Sequence, residues 1–302
     1  MKQGNRIKTI TEYHRLRGFG QPSHPLISVV DLGIITPEHH LTGVMVDFYS
    51  ICIKRSSHIT LRYGQQDYDF DSGVMFFMAP NQVFNLISST SETPKQSGWL
   101  LLIHPDFFWN TSLAKTIKLY DFFDYSVNEA LFLSEKEEKT INGIIENVRK
   151  EYDSNIDTFS KQIIISHIET LLSYSERFYN RQFITREKAN HRILEQLETL
   201  LNDYFNSDDL VLKGLPTVHY VAEQLHVSSS YLGSLLRTLT GQNTQQHIHE
   251  KLIAKAKEKL STTELSISEI AFALGFEHSQ SFSKLFKSKT HISPVDFRRS
   301  FN

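Results

Sequence analysis

The sequence has only one cysteine, Cys52, among its 302 residues. A single cysteine excludes an intramolecular disulfide and a cysteine-rich zinc site. No apolar run approaches the roughly 20 residues that a membrane-spanning helix needs. No apolar segment typical of a secretory signal follows Met1. From these absences we expect a protein of the reducing cytoplasm.

Motifs typical of catalysis are also missing. The glycines are isolated rather than grouped into a phosphate-binding loop, and the Gly-x-Ser-x-Gly pattern of a nucleophilic serine does not occur. The 14 histidines lack metal-ligand spacing. His39 and His40 would point to opposite faces of a strand, and His247 and His249 diverge on a helix. We therefore predict that the chain is not an enzyme and that it has no metal or cofactor.

Charge is distributed unevenly along the chain. The formal net charge is −2, yet residues 213–302 contain 11 basic and 7 acidic residues, whereas the preceding 212 residues contain 21 and 27. The composition is otherwise that of a globular protein, with 40% hydrophobic and 22% charged residues. The length predicts two domains, and a basic end on an acidic body favours a polyanionic partner for that end.

The N-terminal part has the pattern of a β domain. Short apolar or alternating runs are separated by turn-forming residues, and no helical pattern lies between them, which argues against a doubly wound nucleotide-binding fold. The runs are Leu26–Val30, Gly43–Ile53, Ile59–Tyr63, Val74–Met78, Gln82–Ile87 and Trp99–Ile103. Strands at this spacing predict a sandwich or small barrel.

Aromatic side chains of these runs are candidates for the barrel interior. They fit a pocket for a small effector and a filled core equally well, since small barrels are often filled by side chains. The residues are Phe48, Tyr63, Tyr68, Phe70, Phe76, Phe77 and Phe84. No individual effector-binding residue can be assigned from the sequence.

Two amphipathic helices are predicted after the strands. Ser134–Glu137 has the pattern of a capping box, and apolar residues at helical spacing follow it as far as Tyr152. A second helix over about Thr158–Tyr179 has a wide apolar stripe, which fits packing on the barrel or a dimer interface. The stripe consists of Ile164, Ile165, Ile168, Leu171, Leu172, Ser175 and Phe178. The polar segment Asn180–Asn190 then breaks the period and indicates a domain boundary.

The C-terminal part contains an internal repeat. Thr217, Val221, Ala222, Leu225 and Val227 recur 49 residues later as Ser266, Ile270, Ala271, Leu274 and Phe276. The spacing then becomes 50, which pairs Leu232, Leu235, Leu236, Arg237 and Thr240 with Phe282, Leu285, Phe286, Lys287 and Thr290. A change of one residue between matched segments indicates turns of different length.

Each copy of the repeat has the pattern of a helix-turn-helix. Thr217 and Ser266 are suited to cap the first helix, and the second helix is apolar on one face and small, polar or basic on the other. Such a second helix suits the DNA major groove. A joining helix over about Thr244–Leu260, roughly 25 Å long, is predicted to hold the two copies about one DNA turn apart, roughly 34 Å.

The C-terminal part resembles the AraC/XylS family of bacterial transcription regulators over about residues 191–302. The resemblance rests on Val221-Ala222, Val227–Leu232, Thr240-Gly241, Ile267–Ala271, Leu274–Phe276, Ser281–Lys287 and the terminal Ser293-Pro294 with Phe297-Arg298. It implies two recognition helices that read successive major-groove segments of promoter DNA. It also implies a cupin-like N-terminal β-barrel followed by helices that dimerise.

These observations predict three segments. Residues 1–180 form a cupin-like barrel with dimerisation helices, residues 181–190 form a linker, and residues 191–302 form an all-α DNA-binding domain with two helix-turn-helix motifs and a linker helix. The sequence departs from the family at His291, where glycine is usual. It also departs at Gly233 and Ser234, where many members have longer base-reading side chains.

We predict that the second recognition helix reads more bases than the first. Gln280 and Lys284 are the candidate base contacts, and Arg237 and Lys287 are candidate phosphate contacts. The full predicted set is Ser230, Gly233, Ser234, Arg237, His278, Ser279, Gln280, Ser283, Lys284 and Lys287.

The function predicted from the sequence is that of a dimeric transcription regulator that binds promoter DNA specifically. A small-molecule effector and RNA polymerase are further candidate partners, and no membrane is involved. Two alternatives stay open: a cupin-type enzyme with a nucleic-acid-binding tail, and an adaptor whose helical repeat binds other proteins.

Overall fold

The structure is a computed structural model that describes residues 6–34, 44–56, 61–63, 66–68, 73–84, 96–126, 129–154, 159–185 and 187–300. The chain divides into two compact units, Met1–Gln182 and Phe183–Asn302. The N-terminal unit combines β-sheets with helices, and the C-terminal unit is helical. Among the described residues, no helix is long and apolar enough to cross a membrane.

The strands of the N-terminal unit are short and belong to three sheets in the described part of the chain. They are β1 Arg6–Ile7, β2 Ile27–Asp31, β3 Val44–Val46, β4 Tyr49–Ser56, β5 Leu61–Tyr63, β6 Gln66–Tyr68, β7 Val74–Met78, β8 Val83–Phe84, β9 Gln96–Ile103 and β10 Leu131–Phe132. The largest sheet has the order β10-β7-β4-β9-β2, and all of its pairs are antiparallel. The order β1-β3-β8 and the hairpin β5-β6 make the other two. Closure of these sheets into a cupin-like barrel stays a prediction.

The helices of this unit begin before the first long strand. They are α1 Ile10–Arg17, α2 Leu113–Thr116, α3 Glu135–Asp153 and α4 Ser160–Thr185, of which the last three residues belong to the second unit. Short 3-10 turns lie at Leu32–Ile34, Pro105–Phe108, Ile117–Leu119 and Asp121–Asp124.

Helix α1 fills the space over one face of the large sheet. Ile10 and Tyr13 are buried in a core cluster that also contains Phe48, Leu100 and Leu102, and the rings of Tyr13 and Phe48 meet edge to face at 5.7 Å. Cys52 packs against the same cluster, and burial raises the pKa of its thiol to about 11. Cys52 is therefore a small, half-buried apolar residue packed against this core.

Two of the seven aromatic residues fit the alternative of a filled core. Phe48 is fully buried under α1. Phe77 packs its ring against Phe122, Phe123 and Tyr179. Neighbouring residues of a strand point to opposite faces, so Phe76 and Phe77 cannot face the same space. Phe70 and the side chains of Tyr63, Tyr68 and Phe84 lie outside the described residues.

Both predicted helices after the strands are confirmed, and so is the capping box predicted at the start of the first. The hydroxyl of Ser134 accepts the backbone N–H of Glu137 at 3.4 Å, and the Glu137 carboxylate accepts the backbone N–H of Ser134 at 2.8 Å. The whole predicted stripe of the second helix is buried within the chain. The stripe is thus core, and the face of α4 left to solvent carries Ser166, Thr170 and Arg177.

Several element bounds differ from the sequence prediction. The run Gly43–Ile53 is interrupted at Asp47-Phe48, so two strands replace one. β1 and α1 lie in a region for which no element was predicted. Helix α4 ends at Thr185, and α5, Glu187–Asn206, begins two residues later. The segment 181–190, which was predicted as a linker, is therefore helical on either side of residue 186.

The C-terminal unit consists of helices around one core. They are α5 Glu187–Asn206, α6 Asp209–Lys213, α7 Val218–Gln224, α8 Ser229–Thr240, α9 Thr244–Thr262, α10 Ile267–Ala273, α11 Ser279–Thr290 and α12 Pro294–Arg299. α9 contacts α5, α8, α10 and α12. Its buried residues Ile248, Leu252, Ala256 and Leu260 recur every four positions.

The terminal Pro-x-x-Phe-Arg pattern has a structural role here. Pro294 is the first residue of α12, and the Ser293 hydroxyl accepts the backbone N–H of Asp296 at 3.1 Å. The ring of Phe297 lies edge to face with that of Phe286, with their centroids 5.5 Å apart. The Arg298 side chain donates to the carbonyl of Leu260 at 3.3 Å. These contacts join α12 to α11 and α9.

Candidate DNA-binding surface

The first motif is formed by α7 and α8 with a four-residue turn. The Thr217 hydroxyl accepts the N–H of Tyr220 at 3.1 Å, which caps α7. Between the helices His226 takes a left-handed conformation with φ of 57°. The Ser228 hydroxyl then accepts the N–H of Tyr231 at 3.1 Å and caps α8. Both helix starts are therefore encoded by local side chains.

The second motif is formed by α10 and α11 with a five-residue turn. Ser266 and Glu269 make a reciprocal capping box at the start of α10. Gly275 takes the left-handed conformation in the turn, with φ of 79°. α7 and α10 begin 49 residues apart, whereas α8 and α11 begin 50 apart. The predicted difference in turn length is thus confirmed and lies in the single residue that the second turn adds.

One face of each recognition helix is in the core, as predicted. Leu232, Leu235 and Leu236 of α8 are fully buried, and so are Phe282 and Phe286 of α11. The end of α8 is tied to α9, since the hydroxyl of Thr240 lies 2.9 Å from Nε2 of His247. Burial lowers the pKa of His247. The core therefore fixes which residues of α8 and α11 point outward.

The predicted contact residues divide by exposure. Those that are half-buried are Ser230, Gly233, Ser234, Ser279 and Ser283. Those that are exposed are Arg237, His278, Gln280, Lys284 and Lys287. Only one exposed member is on α8, whereas three are on α11 and one lies just before it. The structure therefore gives the second helix more solvent-facing polar atoms.

Three further residues of α11 are exposed and were not among those predicted. Ser281, Ser288 and Lys289 all face solvent. Lys289 joins Lys284 and Lys287 on a helix that contains no acidic residue, so the end of α11 has a cluster of three ammonium groups. The signal for Lys289 is the run of basic residues along α11, because the matched position of the first motif is Leu239.

The outer face of α8 carries different side chains from that of α11. The Arg237 guanidinium donates to the hydroxyl of Ser234 at 3.2 Å, which holds the cation beside the middle of the helix. A Cβ built at Gly233 meets no atom of the described residues within 4 Å. The first helix is therefore short of base-reading groups because of its residue types and not because of crowding.

Two lysines of α9, Lys251 and Lys255, are engaged within the unit. The Lys255 ammonium pairs with the Glu258 carboxylate at 3.0 Å, and this hydrogen bond lowers the pKa of Glu258. The Lys251 ammonium donates to the side-chain oxygen of Asn202 on α5. These two lysines therefore fit a solvated face of the unit better than a DNA contact.

The two motifs, their shared helix α9 and the closing helix α12 define a tandem helix-turn-helix domain. A family model described as a helix-turn-helix domain matches residues 221–300. The regulatory protein SoxS of Salmonella typhimurium is 33% identical over 81 residues, which are 27% of this chain and 76% of that protein. The chain belongs to the AraC/XylS family of transcriptional regulators, and its C-terminal unit is an AraC-type DNA-binding domain.

Similarity also extends over most of the chain. An uncharacterized HTH-type transcriptional regulator of Bacillus subtilis, YfiF, is 24% identical over 277 residues, 86% of this chain and 82% of that protein. Among solved structures, the C-terminal domain of the response regulator yesN from Fusobacterium nucleatum is 30% identical and has a TM-score of 0.31. That match covers 34% of this chain and 95% of that domain.

Proposed function

We propose that the chain is a transcription regulator that recognises promoter DNA specifically, with α8 and α11 in successive major grooves. The observation that carries this proposal is the matched pair of recognition helices, each with its apolar face in one shared core. α9 has 19 residues and is therefore about 28 Å long, which is close to the roughly 34 Å of one DNA turn.

Each part of this surface has a role in the proposal. Gln280 and Lys284 contact base edges, because a glutamine side chain suits adenine and an ammonium suits the acceptors of guanine. Arg237, Lys287 and Lys289 contact phosphates, which gives affinity without sequence information. The half-buried serines of α8 add phosphate or water-mediated bonds.

The N-terminal unit is proposed to provide dimerisation and control. Promoter half-sites are commonly read by dimers, and a ligand that prefers one arrangement of a regulator shifts its DNA affinity. The apolar stripe of α4 is buried in the chain, so a dimer interface on α4 would use its outer face. The regulator acts through DNA and RNA polymerase rather than through catalysis.

The test is a titration of the full chain against its own upstream DNA, with a scrambled duplex as control, at several salt concentrations. Tighter binding to the native duplex that persists at moderate salt is the expected result. Equal binding to both duplexes with a steep salt dependence would show only phosphate attraction and would contradict specific recognition. Stoichiometric iron, zinc or manganese in the purified chain would instead favour the enzyme alternative.

A further inference from the structure

The N-terminal unit contains a cavity of about 260 Å³ beside the start of β2. Its walls come from the first residues of β2, the turn Pro105–Phe108, the end of α3 and the first turn of α4. The aliphatic and aromatic side chains that line it are Leu26, Ile27, Phe107, Tyr152 and Ile164. The Tyr152 hydroxyl accepts the backbone N–H of Ser23 at 2.6 Å. Pockets for drug-sized ligands have about 300–1,000 Å³, so this cavity suits a smaller molecule of roughly ten non-hydrogen atoms.

The described side chains that line the cavity include a positive charge and no negative charge. Its polar groups are the Lys161 ammonium, the His24 imidazole and the Ser160 hydroxyl. No carboxylate occurs among the described residues that line it. An ammonium and an imidazole N–H are hydrogen-bond donors, so the cavity offers donors and a positive charge next to an apolar wall.

Lys161 is held at the edge of this cavity by two contacts. Its ammonium donates to the carbonyl oxygen of Trp109 at 2.8 Å and lies 5.9 Å from the centroid of the Phe107 ring. An ammonium has three N–H donors, and Trp109 uses one of them. The cation is therefore positioned before any ligand arrives, which reduces the entropy lost on binding.

His24 presents a defined donor to the same space. Its Nδ1 accepts the backbone N–H of Leu26 at 3.1 Å, so the ring proton of the neutral form is on Nε2. Burial, and after it the positive charge of Lys161, lowers the pKa of His24. The ring stands edge to face with Phe107, with centroids 5.6 Å apart. At neutral pH the imidazole is thus an uncharged, oriented group.

We propose that this cavity binds a small amphipathic monocarboxylate. The carboxylate contacts Lys161 and His24, and the apolar part lies against Phe107, Tyr152 and Ile164. Hydrogen bonds between charged partners are stronger than neutral ones. An amine of the same shape would place a second cation beside Lys161. The site lies outside the set of aromatic residues that the sequence suggested for an effector.

The proposal is tested by isothermal titration calorimetry of the full chain with octanoate, 1-octanol and octylammonium. These probes share one apolar chain and differ only in the charge of the head group. We expect one octanoate per chain with a dissociation constant of about 0.1–1 mM. Octylammonium is expected to bind at least about tenfold more weakly. Equal binding of the three probes, or no octanoate binding at 10 mM, would overturn the proposal.

Variants then locate the site. Lys161→Met is expected to weaken octanoate binding about 10- to 100-fold and to leave 1-octanol binding unchanged. Lys161→Arg should retain octanoate binding within about threefold, since the positive charge remains. Lys118→Met removes an exposed lysine outside the cavity and serves as the matched control.

Circular dichroism establishes that each variant is folded, and the comparison of head groups on the unchanged chain does not depend on any variant. Octanoate binding by Lys161→Met as tight as by the unchanged chain would place the ligand elsewhere and contradict the assignment. The calorimetry contains no DNA. A failure of octanoate binding therefore leaves the proposed promoter recognition standing, and the reverse also holds.

Discussion

The two helix-turn-helix motifs have left-handed backbone conformations at the same two places, but with different residues at each place. Each motif has a left-handed residue in its turn and another directly after its recognition helix. In the first motif these are His226 and Gly241, with φ of 57° and 75°. In the second they are Gly275 and His291, with φ of 79° and 65°. The repeat thus conserves the backbone geometry, while glycine and histidine have exchanged places.

The surroundings explain why one glycine cannot be exchanged. A Cβ at Gly275 would lie 2.4 Å from the carbonyl oxygen of Leu210 and 3.0 Å from the Cα of Gly214. At Gly241 no atom of the described residues is within 4 Å of such a Cβ. Gly275 is therefore required by contact with α6 and with the glycine that follows it, whereas Gly241 only relieves backbone strain. Similar φ values at two positions therefore do not imply an equal need for glycine at both.

The largest expected effect comes from Gly275→Ala. The new Cβ adds a steric conflict to the strain of a left-handed alanine, so the free energy of unfolding should fall by about 2–5 kcal/mol. Gly241→Ala should cost only about 1 kcal/mol. Hydrogen exchange of the amides in α10 and α11 measures both changes in the free energy of unfolding.

The opposite substitution provides a control for this pair. His291→Gly removes left-handed strain without creating a contact, and it should stabilise the unit by about 1 kcal/mol. If Gly275→Ala and Gly241→Ala were equally destabilising, the contact with Leu210 would not distinguish the two turns.

The next effect concerns the unequal outer faces of α8 and α11. Gln280→Ala and Lys284→Ala should each weaken binding to the native promoter by about 1–3 kcal/mol. Ser230→Ala and Ser234→Ala stand at the matched positions of the first motif and should change the affinity less than about threefold. Titration of labelled promoter DNA measures all four.

A scrambled duplex separates base-specific contacts from attraction to the phosphates in this experiment. Loss of the Gln280 side chain should leave binding to the scrambled duplex unchanged, because an uncharged group contributes little to phosphate attraction. Larger losses from the serine variants than from the α11 variants would reverse the proposed division of labour.

The smallest effect distinguishes the starts of the two recognition helices. Ser228 caps α8 with its hydroxyl, whereas the ring of His278 makes no capping hydrogen bond at the start of α11 among the described residues. Ser228→Ala should therefore cost about 1 kcal/mol of stability. His278→Ser should add about 0.5–1 kcal/mol.

Thermal unfolding of the full chain, followed by circular dichroism, measures these changes. Thr240→Ala is unsuitable as a reference because that hydroxyl contacts His247 on another helix. Ser288→Ala, at an exposed position of α11, is the better one, because that hydroxyl bonds the carbonyl of Leu285 in its own helix. A destabilised His278→Ser variant would mean that the histidine supports the turn in another way.

Features encoded by nearby residues could be predicted from the sequence. The repeat, the buried faces of α8 and α11 and the cap at Ser134 follow from helical periodicity and from residue types three positions apart. The difference in turn length followed from the change of spacing alone. These properties need no knowledge of distant parts of the chain.

Features that depend on distant partners could not be predicted. In α1 two of the four buried residues are His14 and Arg17, so the apolar period is obscured. The burial of His14 is compensated by bonds to the Gly20 carbonyl and the Ser28 hydroxyl, at 2.6 and 2.8 Å.

The shared helix α9 has a consequence for how this domain tolerates length changes. The two turns already differ by one residue, so an insertion there is absorbed locally. An insertion within α9 would rotate everything that follows by about 100° and advance it by about 1.5 Å. The second recognition helix would then meet the DNA out of phase. Gain or loss of single codons in this stretch should therefore abolish promoter recognition even where the domain still folds.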